Sequence, residues 1–119
     1  MSDIIEWGLE MKIQDGQADS VQPLIEEMSN ATKRDEPGAL HYEYYLSEDG
    51  SRCTVLERYA DNDAVMAHLG NFGEKFADRF LTAFAPERFH VYGPADDAVR
   101  AALAGLGAVH FDRAAGFSR

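Results

Sequence analysis

The chain has 119 residues, near the modal size of a single domain, with 45% hydrophobic and 27% charged residues. Its formal charge of −10 sets up a field that repels a nucleic-acid backbone or an anionic membrane surface, so neither is an expected partner. The lone Cys53 rules out an intrachain disulfide, and Met1 to Glu6 lack the basic and apolar regions of a signal peptide, so a soluble cytoplasmic protein is expected.

Ile5, Trp7, Leu9, Met11 and Ile13 alternate with Glu6, Gly8, Glu10 and Lys12, the period of a half-buried strand, and Asp15-Gly16 breaks it. A helix follows, with Ser20 as its expected cap and Pro23 in its first turn. Val21, Leu24, Ile25 and Met28 form its apolar stripe, and Glu36-Pro37-Gly38 stops it. Ala39 to Ser47 and Arg52 to Ala60 then read as an antiparallel hairpin around Glu48-Asp49-Gly50-Ser51.

Asp61 is the expected N-cap of a second helix carrying Val65, His68, Leu69 and Phe72, with Phe76, Phe80 and Phe84 extending the stripe. Gly70 and Gly73 predict a bend between two short helical pieces. Pro86 opens a strand from about Glu87 to Gly93. The order βαββαβ is that of an α+β, ferredoxin-like fold with an antiparallel sheet. Beyond this core (about residues 4–93) an extension over 94–119 holds a helix capped by Asp96 and ended by Gly107, then a possible edge strand from Ala108 to Asp112. The whole reads as one domain, residues 1–119.

The run Glu36-Pro37-Gly38-Ala39-Leu40-His41-Tyr42-Glu43, followed by Val55-Leu56-Glu57-Arg58-Tyr59 and then Ala67-His68-Leu69 with its Phe-containing continuation, resembles the antibiotic biosynthesis monooxygenase family of dimeric α/β barrels. The likeness runs from about Ile4 to Gly93. It implies a homodimer whose sheets face each other and a pocket between each sheet and its helices. Some members attack electron-rich phenols such as quinols with O2 and no cofactor, others degrade haem, and many have no known reaction. Haem-degrading members carry an Asn on the first strand and a Trp near the second helix. This chain has Glu6, Trp7 and Gly8 on that strand and no later Trp, which argues against haem breakdown.

His68 is the candidate catalytic base, since an imidazole on the apolar helix face can titrate near neutrality and take a phenolic proton. The matching family position also carries His, although a hydrogen-bonded histidine at the core edge explains it equally simply. Candidate substrate contacts are Trp7, His41, Tyr42, Arg58, Phe72, Phe76 and His90. For each a structural role stands beside the functional one. Trp7 and the phenylalanines can be core, Arg58 can pair with a carboxylate, and His41 and His90 can face outward or a dimer partner. Local metal-ligand spacing is missing, so no metal is expected, and a Gly-x-Ser-x-Gly elbow and a phosphate loop are missing too, which leaves nucleophilic catalysis and phosphate binding without support. That no cofactor is expected is what the family resemblance implies. The expected function is a cofactor-independent monooxygenase of a quinol or similar aromatic. The rival is a non-catalytic module of the same fold that binds a small aromatic or only its twin.

Overall fold

In the computed structural model, which describes residues 2–119, the alternating segment forms β1 (Ile5–Ile13), with its apolar residues buried and its polar ones on the opposite side. Helix α1 (Ala18–Asp35) follows, burying Val21, Leu24, Ile25 and Met28. It begins earlier than Ser20 implies. Gln17 is the N-cap, and Ser20 lies within the first turn, its hydroxyl donating back to the Gln17 carbonyl at 2.9 Å. Pro23 consequently sits in the helix interior, where its missing N–H leaves the Asp19 carbonyl without the usual helical donor.

Strands β2 (Ala39–Leu46) and β3 (Arg52–Tyr59) form the expected hairpin. The Asp49 carboxylate closes its turn, accepting from the Ser47 hydroxyl and from both the backbone and the hydroxyl of Ser51, with Gly50 at φ 73°. Next come α2 (Asn62–Lys75), α3 (Ala77–Ala83) and β4 (Phe84–Tyr92). The expected bend at Gly70 and Gly73 is absent, because α2 runs through both. Instead the helix breaks at Phe76, whose φ of −128° is outside the helical region. Phe84 belongs to the strand rather than to the helical stripe.

The extension forms α4 (Asp97–Leu103), a 3₁₀ turn over Ala104–Leu106 and β5 (Val109–Phe111). Asp96 caps α4 by accepting from the Val99 N–H at 2.9 Å, and Gly107 ends the turn at φ 72°.

The sheet order is β2-β3-β1-β4-β5, antiparallel through the first four strands and parallel between β4 and β5. This is the ferredoxin-like α+β arrangement with one added edge strand. The core lies between one sheet face and the helices, and the other face is uncovered in the monomer. Two register slips, between Ala39 and His41 and between Glu10 and Met11, change which side the neighbouring residues face. Among the described residues no helix is long and apolar enough to cross a membrane.

Candidate active site

Helix α2 places the central histidine. Its N-cap Asp61 accepts from the Ala64 N–H at 2.8 Å, and the face carrying Val65 and His68 turns inward, leaving His68 only 5% exposed. Two carboxylates hold the imidazole. Nδ1 lies 2.8 Å from Glu36 Oε1 and Nε2 lies 3.3 Å from Glu57 Oε1. A carboxylate accepts only, so an imidazolium donating on both sides satisfies this arrangement.

Glu36 closes the end of α1, its N–H bonded to the Thr32 carbonyl, and its second oxygen faces the Asn71 amide at 3.4 Å. Glu57 comes from the inward side of β3, with Cys53, Val55 and Tyr59 as its companions. Its cross-strand neighbours are Tyr42 on β2 and Trp7 on β1, and the Tyr59 hydroxyl donates to it at 2.5 Å. Tyr42, Tyr59 and Phe72 pack their rings around His68, with centroids 5.4, 5.1 and 6.1 Å away.

Burial pushes the Glu57 carboxyl above its ordinary value, against the opposing pull of His68, the Tyr59 hydroxyl and the Trp7 side chain. Burial alone would lower His68. The Glu36 hydrogen bond and the charges of Glu57 and Glu36 outweigh it, and the imidazole ends above the usual histidine value. Both directions favour a proton retained between His68 and Glu57. Burial raises the hydroxyls of Tyr42, Tyr44 and Tyr59 as well, with Glu57 adding to the effect, so all three are neutral donors near neutrality.

The Glu36–His68–Glu57 relay opens on a cavity of about 210 Å³ between the sheet and the helices. Tyr42, Tyr44, Glu57 and His68 give it a polar wall, and Trp7, Leu9, Leu69, Phe72, Phe80 and Phe89 form most of the apolar remainder. Buried acid–base groups against a hydrocarbon lining are what proton abstraction from a weakly acidic organic molecule requires.

Of the residues singled out from sequence, His68, Trp7, Tyr42 and Phe72 converge on this cavity. Phe76 does not. The helix break turns it toward the α1 side, near Thr32 and Glu36, with the Arg79 guanidinium 5.3 Å from its ring. His41, Arg58 and His90 lie on the opposite face of the sheet, around an open depression of about 490 Å³. There Arg58 pairs with Glu6 at 2.7 Å, His41 approaches Glu43 at 2.9 Å, and His90 receives the Arg88 guanidinium at 3.2 Å. Among the described residues that face holds no buried acid–base pair, in contrast to the smaller cavity. Cys53 is buried, and its thiol is pushed up to about 11 by that burial, so it is no nucleophile.

Glu36, Glu57 and Tyr59 join this cluster around His68 without having been singled out from the sequence. For Glu57 a signal existed, since it is a carboxylate on the apolar parity of its strand. Nothing local marks Glu36, which meets His68 only through the fold.

A chain similar over nearly its whole length, extension included, is MupZ from Pseudomonas fluorescens. The match has 22% identity, covers 99% of this chain and 96% of MupZ, and has a TM-score of 0.86. A putative antibiotic biosynthesis monooxygenase from Bacteroides thetaiotaomicron matches with 19% identity, 75% and 85% coverage and a TM-score of 0.64. SnoaB, a cofactor-independent oxygenase from Streptomyces nogalater, matches with 14% identity, 76% and 91% coverage and a TM-score of 0.64. At such identities these likenesses speak for the fold. No curated protein matches the chain significantly. Residues 8–78, well over half of the sequence, match the profile described as Antibiotic biosynthesis monooxygenase, and the chain belongs to that family.

Proposed function

We propose that the protein is a cofactor-independent monooxygenase of a quinol or a similar electron-rich phenol, working in the cytoplasm as a homodimer. The observation that carries this reading is the buried Glu36–His68–Glu57 relay at the wall of an apolar cavity. Both imidazole nitrogens of His68 face carboxylates, so His68 acts through Glu57, and Glu57 takes the phenolic proton while His68 holds its charge. The phenolate passes one electron to O2, and the resulting radical and superoxide join in a C–O bond at a free ring carbon. The relay returns its proton to the peroxide, and loss of water leaves a carbonyl. One phenol and one O2 become one quinone and one water, so no outside reductant is needed. The apolar lining keeps water from the anion and from the peroxide. In the dimer, a second copy covers the uncovered sheet face.

Oxygen-electrode measurements over a panel of quinols and naphthols test this. The wild type is expected to consume O2 in a one-to-one ratio with substrate. Glu57→Gln, its folding checked by circular dichroism, should lose about a hundredfold or more in rate. A wild-type rate equal to buffer across a varied panel refutes catalysis and leaves a binding module.

A further inference from the structure

The extension after β4 supplies part of the cavity wall. Leu103 of α4, fully buried, and Leu106 of the 3₁₀ turn both line it. The extension is anchored on both sides of these residues. Before α4, the Asn62 side chain donates to the Pro94 carbonyl at 3.2 Å and accepts from the Asp96 N–H at 2.9 Å, tying the extension to the start of the helix that carries His68. After the turn, β5 pairs with β4 from His90 to Tyr92. The two leucines therefore sit in a fixed position.

Sheet order shows where they sit relative to the relay. The strand residues of the polar wall, Tyr42, Tyr44 and Glu57, belong to β2 and β3, with His68 added from α2, whereas the turn bearing Leu106 leads into β5, beyond β1 and β4. With strands about 4.8 Å apart, β3 and β4 stand about 10 Å from each other. The cavity thus has a proton-accepting wall at one end and a hydrocarbon wall at the other. Leu69, Phe80, Phe89 and the half-exposed Leu81 lie among the residues that enclose the space between and its mouth.

We propose that the C-terminal extension is the specificity element of this site. It selects a substrate with one ionisable hydroxyl at the Glu57 end and an apolar body whose length is limited by Leu103 and Leu106. The inference deepens the reading of a phenol at the relay and rests on it for the orientation of the ligand. Leu106 is the residue to vary, because it is only partly buried and its replacement spares the core.

Trp7 is the sole tryptophan and lines the cavity, so its emission reports occupancy. The experiment is a titration of the full-length protein with 4-alkylphenols from methyl to octyl, followed by Trp7 fluorescence. Affinity in the wild type is expected to rise with chain length to a maximum and then fall. Leu106→Ala should move that maximum to a longer chain, and Leu106→Trp to a shorter one. The hexyl-to-methyl affinity ratio should differ about tenfold or more between the two variants, as burial of a few methylenes requires. Should Leu106→Trp fail to fold, Leu106→Ala alone decides the matter through the direction of its shift. A maximum that stays where it is in a folded variant overturns the proposal, and so does a Trp7 signal unresponsive to every phenol. Because the readout is binding, a displaced maximum without oxygen uptake sinks the oxygenase reading while leaving this inference in place.

Discussion

Glu57 shows how one side chain can be costly and useful together. Burying a lone carboxylate is expensive, and it persists because His68, the Tyr59 hydroxyl and the Trp7 side chain offset its lost water. The same surroundings make each partner hard to remove. Glu36→Ala would leave a buried imidazolium with one carboxylate fewer, and should cost about 3–5 kcal/mol in urea unfolding. A loss within error of zero would show that the pair contributes little.

The relay also sets the pH dependence of stability. A group held above its ordinary value binds more protons folded than unfolded, so its contribution falls as pH rises. For His68 the stabilisation is full below the ordinary value of 6.5 and is lost as pH climbs through the raised folded value. Glu57, also raised, acts with the same sign from its ordinary 4.5 upward. Urea midpoints between pH 6 and 9 should therefore decline more steeply for wild type than for a protein carrying both His68→Gln and Glu57→Gln. Parallel slopes would refute the coupling. The inward parity of Glu57 and the stripe position of His68 were visible in the sequence. Their meeting with Glu36, 32 positions from His68, was not, since no local pattern encodes a contact between a helix end and another helix's face.

Among the elements, α2 carries most of the consequence. Its cap at Asp61 and its stripe of Val65, His68, Leu69 and Phe72 were readable as periodicity and capping chemistry. Its course through Gly70 and Gly73 was not. A glycine costs about 1 kcal/mol in a helix, and burial of the stripe outweighs that penalty. The break at Phe76 escaped notice for the converse reason, as no Pro or Gly marks it.

Which of the adjacent His41 and Tyr42 faces inward was left open by the sequence and is set by the pairing register. The register slip after Ala39 sends His41 outward and Tyr42 and Tyr44 inward, and a slip of this kind has no sequence signature here. The close approach of α2 to the start of β2 gives a test of its own. A Cβ on Gly38 would lie 2.7 Å from the Ala64 Cβ, one turn before His68. Gly38→Ala should lower the melting temperature by several degrees, and adding Ala64→Gly should restore part of it despite glycine's poor helix propensity. Independent, additive losses would mean that the two do not share the space.

At the scale of the molecule, the ferredoxin-like order was legible because each element announces itself by period and punctuation. The outer face of the sheet is the remaining large surface. Leu56 and Tyr92 are 40% and 42% exposed there, amid the Arg58–Glu6 and Arg88–Glu10 pairs. In the proposed homodimer this face is covered. Sedimentation should then give twice the chain mass of 13.2 kDa, and Leu56→Glu should halve it by placing a charge in the apolar centre of the contact. A wild type that sediments as a single chain at micromolar concentration refutes the dimer.

The sheet also acts as a partition one residue thick. Along β3, Glu57 belongs to the sealed interior and its neighbour Arg58 to the outer surface. Pairing displaced by one position would put a guanidinium beneath His68 and expel the carboxylate. Descendants of this sequence can therefore lengthen the hairpin by two residues and keep every side chain in its compartment. A single codon inserted within β3 exchanges the two compartments for the residues beyond it, unless a bulge absorbs the extra residue as the slips after Ala39 and Glu10 do.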